Sequence, residues 1–422
     1  MTLAIFLCTI LTNKHYFESN CFCVGVESVG IVLYLCGKIF SVDMKKIRTS
    51  FGALALVGFM LASVSAEAQE RKTLREWGFP IGIFETGKNN AITDVEGVTV
   101  GQVTCVEGDS VRTGVTAIVP HQGNIFRNKV PAAIYVGNGF GKLAGYTQVE
   151  ELGNVETPIV LTNTLSVAAG IEGLVRYTLA QPGNEGVRSV NAVVGETNDG
   201  KLNKIQDMRV TPEMVMAAIN KAEGGPVAQG NVGAGTGTIC FGFKGGIGTA
   251  SRVLPESLGG YTIGVLVQSN YGGVLEIDGV QVGCKLCKYD FRKHVEKTEN
   301  VDGSCMMVVV TDAPLDSRNL KRVAKRAMLG LAKTGGIASN GSGDYVIAMS
   351  VAKENLMEPG KKIQSMNVLD NGEMSSIFCA TIEATAEALW NSMFMAEMMK
   401  GYKGREVEAL PVEKVVEMLK NR

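Results

Sequence analysis

Histidine is almost missing from this sequence: there are three in 422 residues, and beyond the N-terminal stretch only His121 and His294 remain. A histidine-dependent catalytic triad or a histidine-rich metal site is therefore hard to build. An excess of charge of one sign is missing too. Lysine and arginine total 41 against 42 aspartates and glutamates, so no basic field exists to attract nucleic acid. Aromatics make up 6% of the chain, whereas glycine occurs 51 times, set among short apolar runs. That balance suits a tightly turned, sheet-rich enzyme better than a low-complexity chain. Length alone would allow two or three domains.

The N-terminal stretch reads as targeting sequence. Met44-Lys45-Lys46-Ile47-Arg48 is a basic n-region, Phe51 to Val64 is apolar but short for a spanning helix, and Ala66-Glu67-Ala68 offers small residues to a signal peptidase. This predicts a signal peptide over 44–68, a mature start at Gln69, and a periplasmic or secreted protein with no further membrane attachment; a retained anchor is the alternative. Residues 1–43 read as an upstream extension from an earlier start, with an apolar segment from Val24 to Phe40. Setting 1–68 aside leaves Cys105, Cys240, Cys284, Cys287, Cys305 and Cys379, which do not form a disulfide framework in a domain of this size. Cys284-Lys285-Leu286-Cys287 has the spacing of a redox or zinc half-site. No second pair or nearby histidine completes it, so it reads as a buried or incidental pair.

Along the mature chain, strands are expected at Thr113–Pro120, Pro131–Val136, Pro158–Leu165, Val190–Val194, Tyr261–Val267, Met306–Thr311 and Tyr345–Val351. Helices are expected at Val167–Leu179, from Thr211-Pro212-Glu213 to Ala222, at Asp316–Lys333, Ser375–Met399 and Val412–Leu419. The four basic residues Lys321, Arg322, Lys325 and Arg326 read as a solvated helix face. Gly233 and Gly235 lack the spacing of a dinucleotide-binding loop, and the glycines from 230 to 248 read as backbone crowding around a small site. Residues 285–301 are charged and loop-like, composed like a connector between two strong strands. They deliver the chain to Gly303-Ser304, at the mouth of a buried strand. A serine hydroxyl beside an unhindered glycine carbonyl is compatible with an ordinary turn, a nucleophile, or a place where the chain cuts itself.

Taken in order, several blocks resemble one family. They are Asn90-Ala91-Ile92-Thr93-Asp94-Val95, Thr113-Gly114-Val115-Thr116-Ala117-Ile118, Leu161-Thr162-Asn163-Thr164-Leu165-Ser166-Val167, Val194-Gly195-Glu196-Thr197-Asn198-Asp199-Gly200, Gly230-Asn231-Val232-Gly233, Phe243-Lys244-Gly245-Gly246-Ile247-Gly248-Thr249, Gly303-Ser304 and Gly341-Ser342-Gly343-Asp344. From about Gly78 onward the chain resembles the DmpA-type serine aminopeptidases, the L-aminopeptidase/D-esterases and β-peptidyl aminopeptidases. The resemblance implies an α+β fold, a four-layer αββα sandwich similar to that of the N-terminal nucleophile hydrolases but differently connected. It implies self-cleavage at Gly303-Ser304 into an α-chain (69–303) and a β-chain (304–422) that stay together. Ser304 would be the nucleophile, Ser342 and Asp344 its assistants, Asn270 the oxyanion donor, and Glu196 the residue that binds the substrate's free amine. Asp344 is shorter than the glutamate that some members use. Further implications are a short peptide or aminoacyl amide or ester as substrate, no metal or other cofactor, and a homotetramer of αβ units. Two alternatives stay open: an acyltransferase of the ornithine acetyltransferase type, which would use threonine where Ser304 stands, and an uncleaved, non-catalytic peptide-binding homologue.

Overall fold

The computed structural model describes residues 23–27, 30–35, 38–43, 71–296 and 303–421. The expected signal segment (44–68) and the end of the charged connector (297–302) lie outside the described residues. The chain divides into two units, 1–70 and 71–422. In the first, Cys23–Glu27, Gly30–Leu35 and Lys38–Asp43 form a three-stranded antiparallel sheet, so the Val24–Phe40 segment folds as strands. Among the described residues, no helix is long and apolar enough to cross a membrane.

In chain order the second unit starts with β1 (Thr99–Glu107), β2 (Val111–Val119), β3 (Val130–Gly139), β4 (Asn154–Val155) and β5 (Ile159–Asn163), then helix α1 (Val167–Leu179). Next come β6 (Val193–Thr197), helix α2 (Pro212–Asn220), the hairpin strands β7 (Ile239–Cys240) and β8 (Phe243–Lys244), β9 (Ile247–Val253) and β10 (Thr262–Asn270). The last part supplies β11 (Ser304–Thr311), α3 (Ser317–Lys333), β12 (Gly343–Ser350) and α4 (Met374–Phe394). Helix starts follow local chemistry. Thr211 accepts the Met214 N–H with Pro212 in the first turn of α2, and Asp316 accepts the Asn319 N–H at 2.8 Å to begin α3.

Two sheets result, one ordered β1-β2-β5-β6 and the other β9-β10-β11-β12-β3-β4. They pack face to face: a Cβ added to Gly195 on β6 would lie 2.3 Å from Cε of Met306 on β11. The period of two along β11 sorts its side chains between cores. Met306, Val308 and Val310 join Leu161 and Val193 of the other sheet, while Met307 and Val309 join Leu320 and Val323 of α3 and Leu389 of α4. Helices α1 and α2 cover the four-stranded sheet, with Gly170 of α1 against Val194 and Gly101 of β1 against the Ala218 carbonyl of α2. The layers are therefore αββα, in a mixed α+β fold.

Several expectations need correction. Strand β3 continues through Gly139, beyond the Val136 end expected for it, and β9 occupies a stretch read as glycine crowding. Of the two readings of Cys284 and Cys287, buried or incidental, their exposure removes the first. Two short helices, Val282–Lys285 and Arg292–Glu296, interrupt the supposed loop. Arg322 and Arg326 stack over Phe378 and Lys321 pairs with Glu150, so that face of α3 is only partly solvated.

Candidate active site

Ser304 is the first residue of β11, at the centre of the six-stranded sheet. On one side it pairs in register with Asn270, the last residue of β10. On the other, β11 and β12 run parallel, with Cys305 opposite Asp344. One strand ending and two beginning at the same edge thus bring Asn270, Ser304 and the 342–344 segment together. The Ser304 hydroxyl oxygen accepts the Gly343 N–H at 3.1 Å, and the residue keeps 8% of its surface exposed. Gly303, just before it, lies so close to the chain after β10 that a Cβ would sit 2.3 Å from Tyr271 Cα and 2.5 Å from the Asn270 carbonyl oxygen. Only glycine fits there without moving backbone.

The Ser342 hydroxyl donates to Asp344 Oδ1 at 2.8 Å. Asp344 is fully buried, and its Oδ2 has no hydrogen-bond partner. Burial pushes its pKa up to about 6, against the pull of the Ser342 hydroxyl. The segment is pinned from β3: Asn138 Nδ2 donates to the Ser339 carbonyl at 2.9 Å and also to that of Ser342. Where β3 pairs with β12 the register shifts between Asp344 and Tyr345, which then face Asn138 and Val136. Such bulges re-aim side chains beside active sites.

Asn270 is oriented by its neighbour in the hairpin. The Ile239 N–H donates to Asn270 Oδ1 at 2.9 Å, which leaves Nδ2 as a donor at the end of β10 beside Ser304.

Glu196 comes from β6 of the other sheet. Its Oε1 accepts the Lys142 N–H at 2.9 Å and its Oε2 accepts the Thr164 hydroxyl. Tyr345 lies near enough to both groups to feel their charge. Its phenol pKa is raised by burial and by the nearby Glu196 and Asp344 carboxylates. A Cβ on Gly141 would fall 3.1 Å from Glu196 Oε1 and 3.3 Å from the Tyr345 hydroxyl, so a glycine lets this loop pass close to both. The sequence singled out Glu196 alone. Asn138 and Tyr345 carry no motif of their own, while Thr164 lies in a family-like block just after β5 without a role assigned to it. Among the described residues, no group of three histidine, cysteine or acidic side chains could hold a metal ion.

A hydroxyl at a strand mouth, a second hydroxyl tied to a buried carboxylate, and an oriented amide donor make up the parts that acyl transfer through a serine requires. Comparison with known proteins identifies the fold and the family. The structure of the L-aminopeptidase D-Ala-esterase/amidase from Ochrobactrum anthropi, a prototype for the serine aminopeptidases and a variant of the Ntn hydrolase fold, matches with a TM-score of 0.76 and 34% identity, over 83% of this chain and 98% of that one. The PH0078 protein from Pyrococcus horikoshii OT3 matches with a TM-score of 0.77 and 44% identity, over 83% and 99%. The fold is thus that of an Ntn hydrolase variant. The chain belongs to peptidase family S58, whose model matches residues 90–407, and so to the aminopeptidase hydrolases. The β-peptidyl aminopeptidase BapA of Sphingosinicella microcystinivorans is 38% identical over 87% of this chain and 96% of its own length.

Proposed function

We propose that this aminopeptidase is made active by its own cleavage at Gly303-Ser304 and then uses Ser304 as its nucleophile. The observation that carries the reading is the placement of Ser304. It is the first residue of β11, behind a glycine that tolerates no side chain, and it pairs in register with Asn270 and lies beside Gly343.

In the processing step the Ser304 hydroxyl attacks the Gly303 carbonyl, the acyl group shifts from nitrogen to oxygen, and water hydrolyses the resulting ester. The products are a Gly303 carboxylate and a Ser304 with both a free hydroxyl and a free α-amine. Such an amine has a pKa near ~8 and can take a proton near neutral pH, which a peptide nitrogen cannot. Catalysis then repeats the attack on a substrate carbonyl. Ser342, polarised by Asp344, relays the proton, and Asn270 Nδ2 donates to the oxyanion, a contribution typically worth about 10²–10³ in rate. Glu196 binds the free amine of the substrate, which selects short peptides, amides and esters with an unblocked N-terminus. The same proposal divides the mature protein into chains 69–303 and 304–422, assembled as a homotetramer of αβ units and exported to the periplasm or beyond.

Ser304→Ala tests the reading. It is expected to stay uncut and to hydrolyse no aminoacyl p-nitroanilide; processing or turnover that survives the change would remove Ser304 as the nucleophile. Glu196→Gln should lose most of the preference for free-amine over N-acetylated substrates, and an unchanged preference would refute its role.

A further inference from the structure

Lys244 is fully buried, a rare condition for lysine, and it makes no hydrogen bond to a carboxylate. Its ammonium donates to two backbone carbonyls, those of Gly235 at 2.9 Å and Gly245 at 2.7 Å. Burying a cation in this way is unfavourable by several kcal/mol unless its donors are used, and a methionine would fill similar space without that penalty. The two carbonyls it joins belong to opposite arms of the glycine-rich segment. Gly235 ends the turn before the β7–β8 hairpin, and Gly245 follows the hairpin. The ammonium therefore closes the hairpin at its base, where Gly245 N–H also donates to the Thr238 carbonyl at 3.1 Å. Within the hairpin Lys244 pairs in register with Ile239. Ile239 is the residue whose N–H holds Asn270 Oδ1.

We propose that Lys244 is a positioning residue for the oxyanion donor: its ammonium fixes the base of the β7–β8 hairpin, and the hairpin fixes the Asn270 amide through Ile239. The inference rests on Asn270 acting as that donor. The surroundings agree with a group held for position. Gly245 packs against the Ser269 carbonyl and Gly246 N–H donates to the Ser269 hydroxyl at 3.1 Å, so the hairpin base grips the residue before Asn270 as well. Phe241 N–H donates to the Tyr271 carbonyl at 2.7 Å, so the hairpin tip grips the residue after it. Burial pushes the ammonium down to about 7, with Asp199 and Cys240 pulling the other way.

A double-mutant cycle tests the link, because residues that act through one another give non-additive losses whereas independent ones multiply. Lys244→Met is expected to lower kcat by about 10–10² with KM changed less than about threefold, since the defect lies in transition-state stabilisation. Adding it to Asn270→Ala should lower kcat by no more than about threefold beyond Asn270→Ala alone. Losses that multiply, or a Lys244→Met kcat within threefold of wild type, would overturn the proposal. Where a variant is not processed, the same cycle is read on the self-cleavage half-time of the full chain, with the same expectations. Should Lys244→Met not fold, Ile239→Pro deletes the N–H that holds Asn270 while keeping the ammonium. A tenfold or greater fall in kcat supports the proposal, and a smaller one refutes it. Wild-type turnover in Asn270→Ala alone would instead refute the oxyanion role, a failure distinct from additivity in the cycle.

Discussion

The Ser342 hydroxyl donates to Asp344 Oδ1 at 2.8 Å, while the carboxylate's other oxygen is buried without a partner. Burial holds the Asp344 pKa at about 6, above the ordinary 3.8, so the folded protein favours the protonated form. The stability associated with that preference is fully present below the unfolded pKa and is lost as pH rises through about 6. In the proposed mechanism activity runs the other way, because only the ionised carboxylate can polarise Ser342. Turnover should therefore show an acid limb near pH 6. Asp344→Asn should lower kcat/KM by about 10² or more, yet gain in Tm relative to wild type as pH is raised from about 4 to 8. A difference in Tm that does not change with pH would refute this account of the carboxylate.

Gly303→Ala isolates the processing step. The added methyl would meet backbone, Tyr271 Cα at 2.3 Å and the Asn270 carbonyl oxygen at 2.5 Å, and neither can rotate away. Either Gly303 or Asn270 must shift, and in the proposed processing step both matter to the attack on the Gly303 carbonyl. Self-cleavage followed by denaturing electrophoresis should slow by about tenfold or more, since near-attack geometry is sensitive to displacements of about 1 Å. Cleavage at the wild-type rate would show that the close approach is unimportant.

The same glycines explain how much of this was legible in the sequence. Helix α1 falls on Val167–Leu179 as expected, and the buried run after Ser304 is a strand. Strand β9 was hidden because Gly245, Gly246 and Gly248 break the β-branched pattern. In the fold Gly248 is a glycine because a Cβ would lie 1.9 Å from the Ala388 carbonyl of α4. Gly137 in β3 is similar, packed against Met328 of α3. Close helix–sheet contact sets those residues, and local propensity carries no sign of it. Of the site, Ser304, Ser342 and Asp344 lie in family-like blocks and Asn270 follows from the resemblance alone; the four come together at one edge of the sheet. The buried Lys244 lies within a family-like block, but nothing local marks a lysine as buried.

Arg252 gives a stability test away from the chemistry. It is fully buried on β9, with Nε on Glu383 Oε2 at 3.1 Å and Nη2 on Glu387 Oε2 at 2.7 Å, and Arg75 reaches the same Glu387 oxygen at 2.9 Å. Removing one member of such a group leaves buried charge uncompensated. Arg252→Met should destabilise by about 3–5 kcal/mol in denaturant unfolding. Burial would raise the Glu387 pKa, but Arg75 and Arg252 outweigh it and hold the carboxylate below its usual range. Its contribution is present above the usual carboxylate pKa and lost as pH falls through the depressed one, so the gap between wild type and variant should shrink in acid. A gap that is constant or grows in acid would contradict the pairing.

The proposed cleavage makes Ser304 the N-terminus of a catalytic chain. Intact mass and N-terminal sequencing of the purified full-length protein test it most directly. Two fragments that stay together under native conditions, one of them beginning at Ser304, are expected in every preparation that hydrolyses aminoacyl p-nitroanilides. An active preparation that is a single uncut chain, or one cut at another bond, would contradict it.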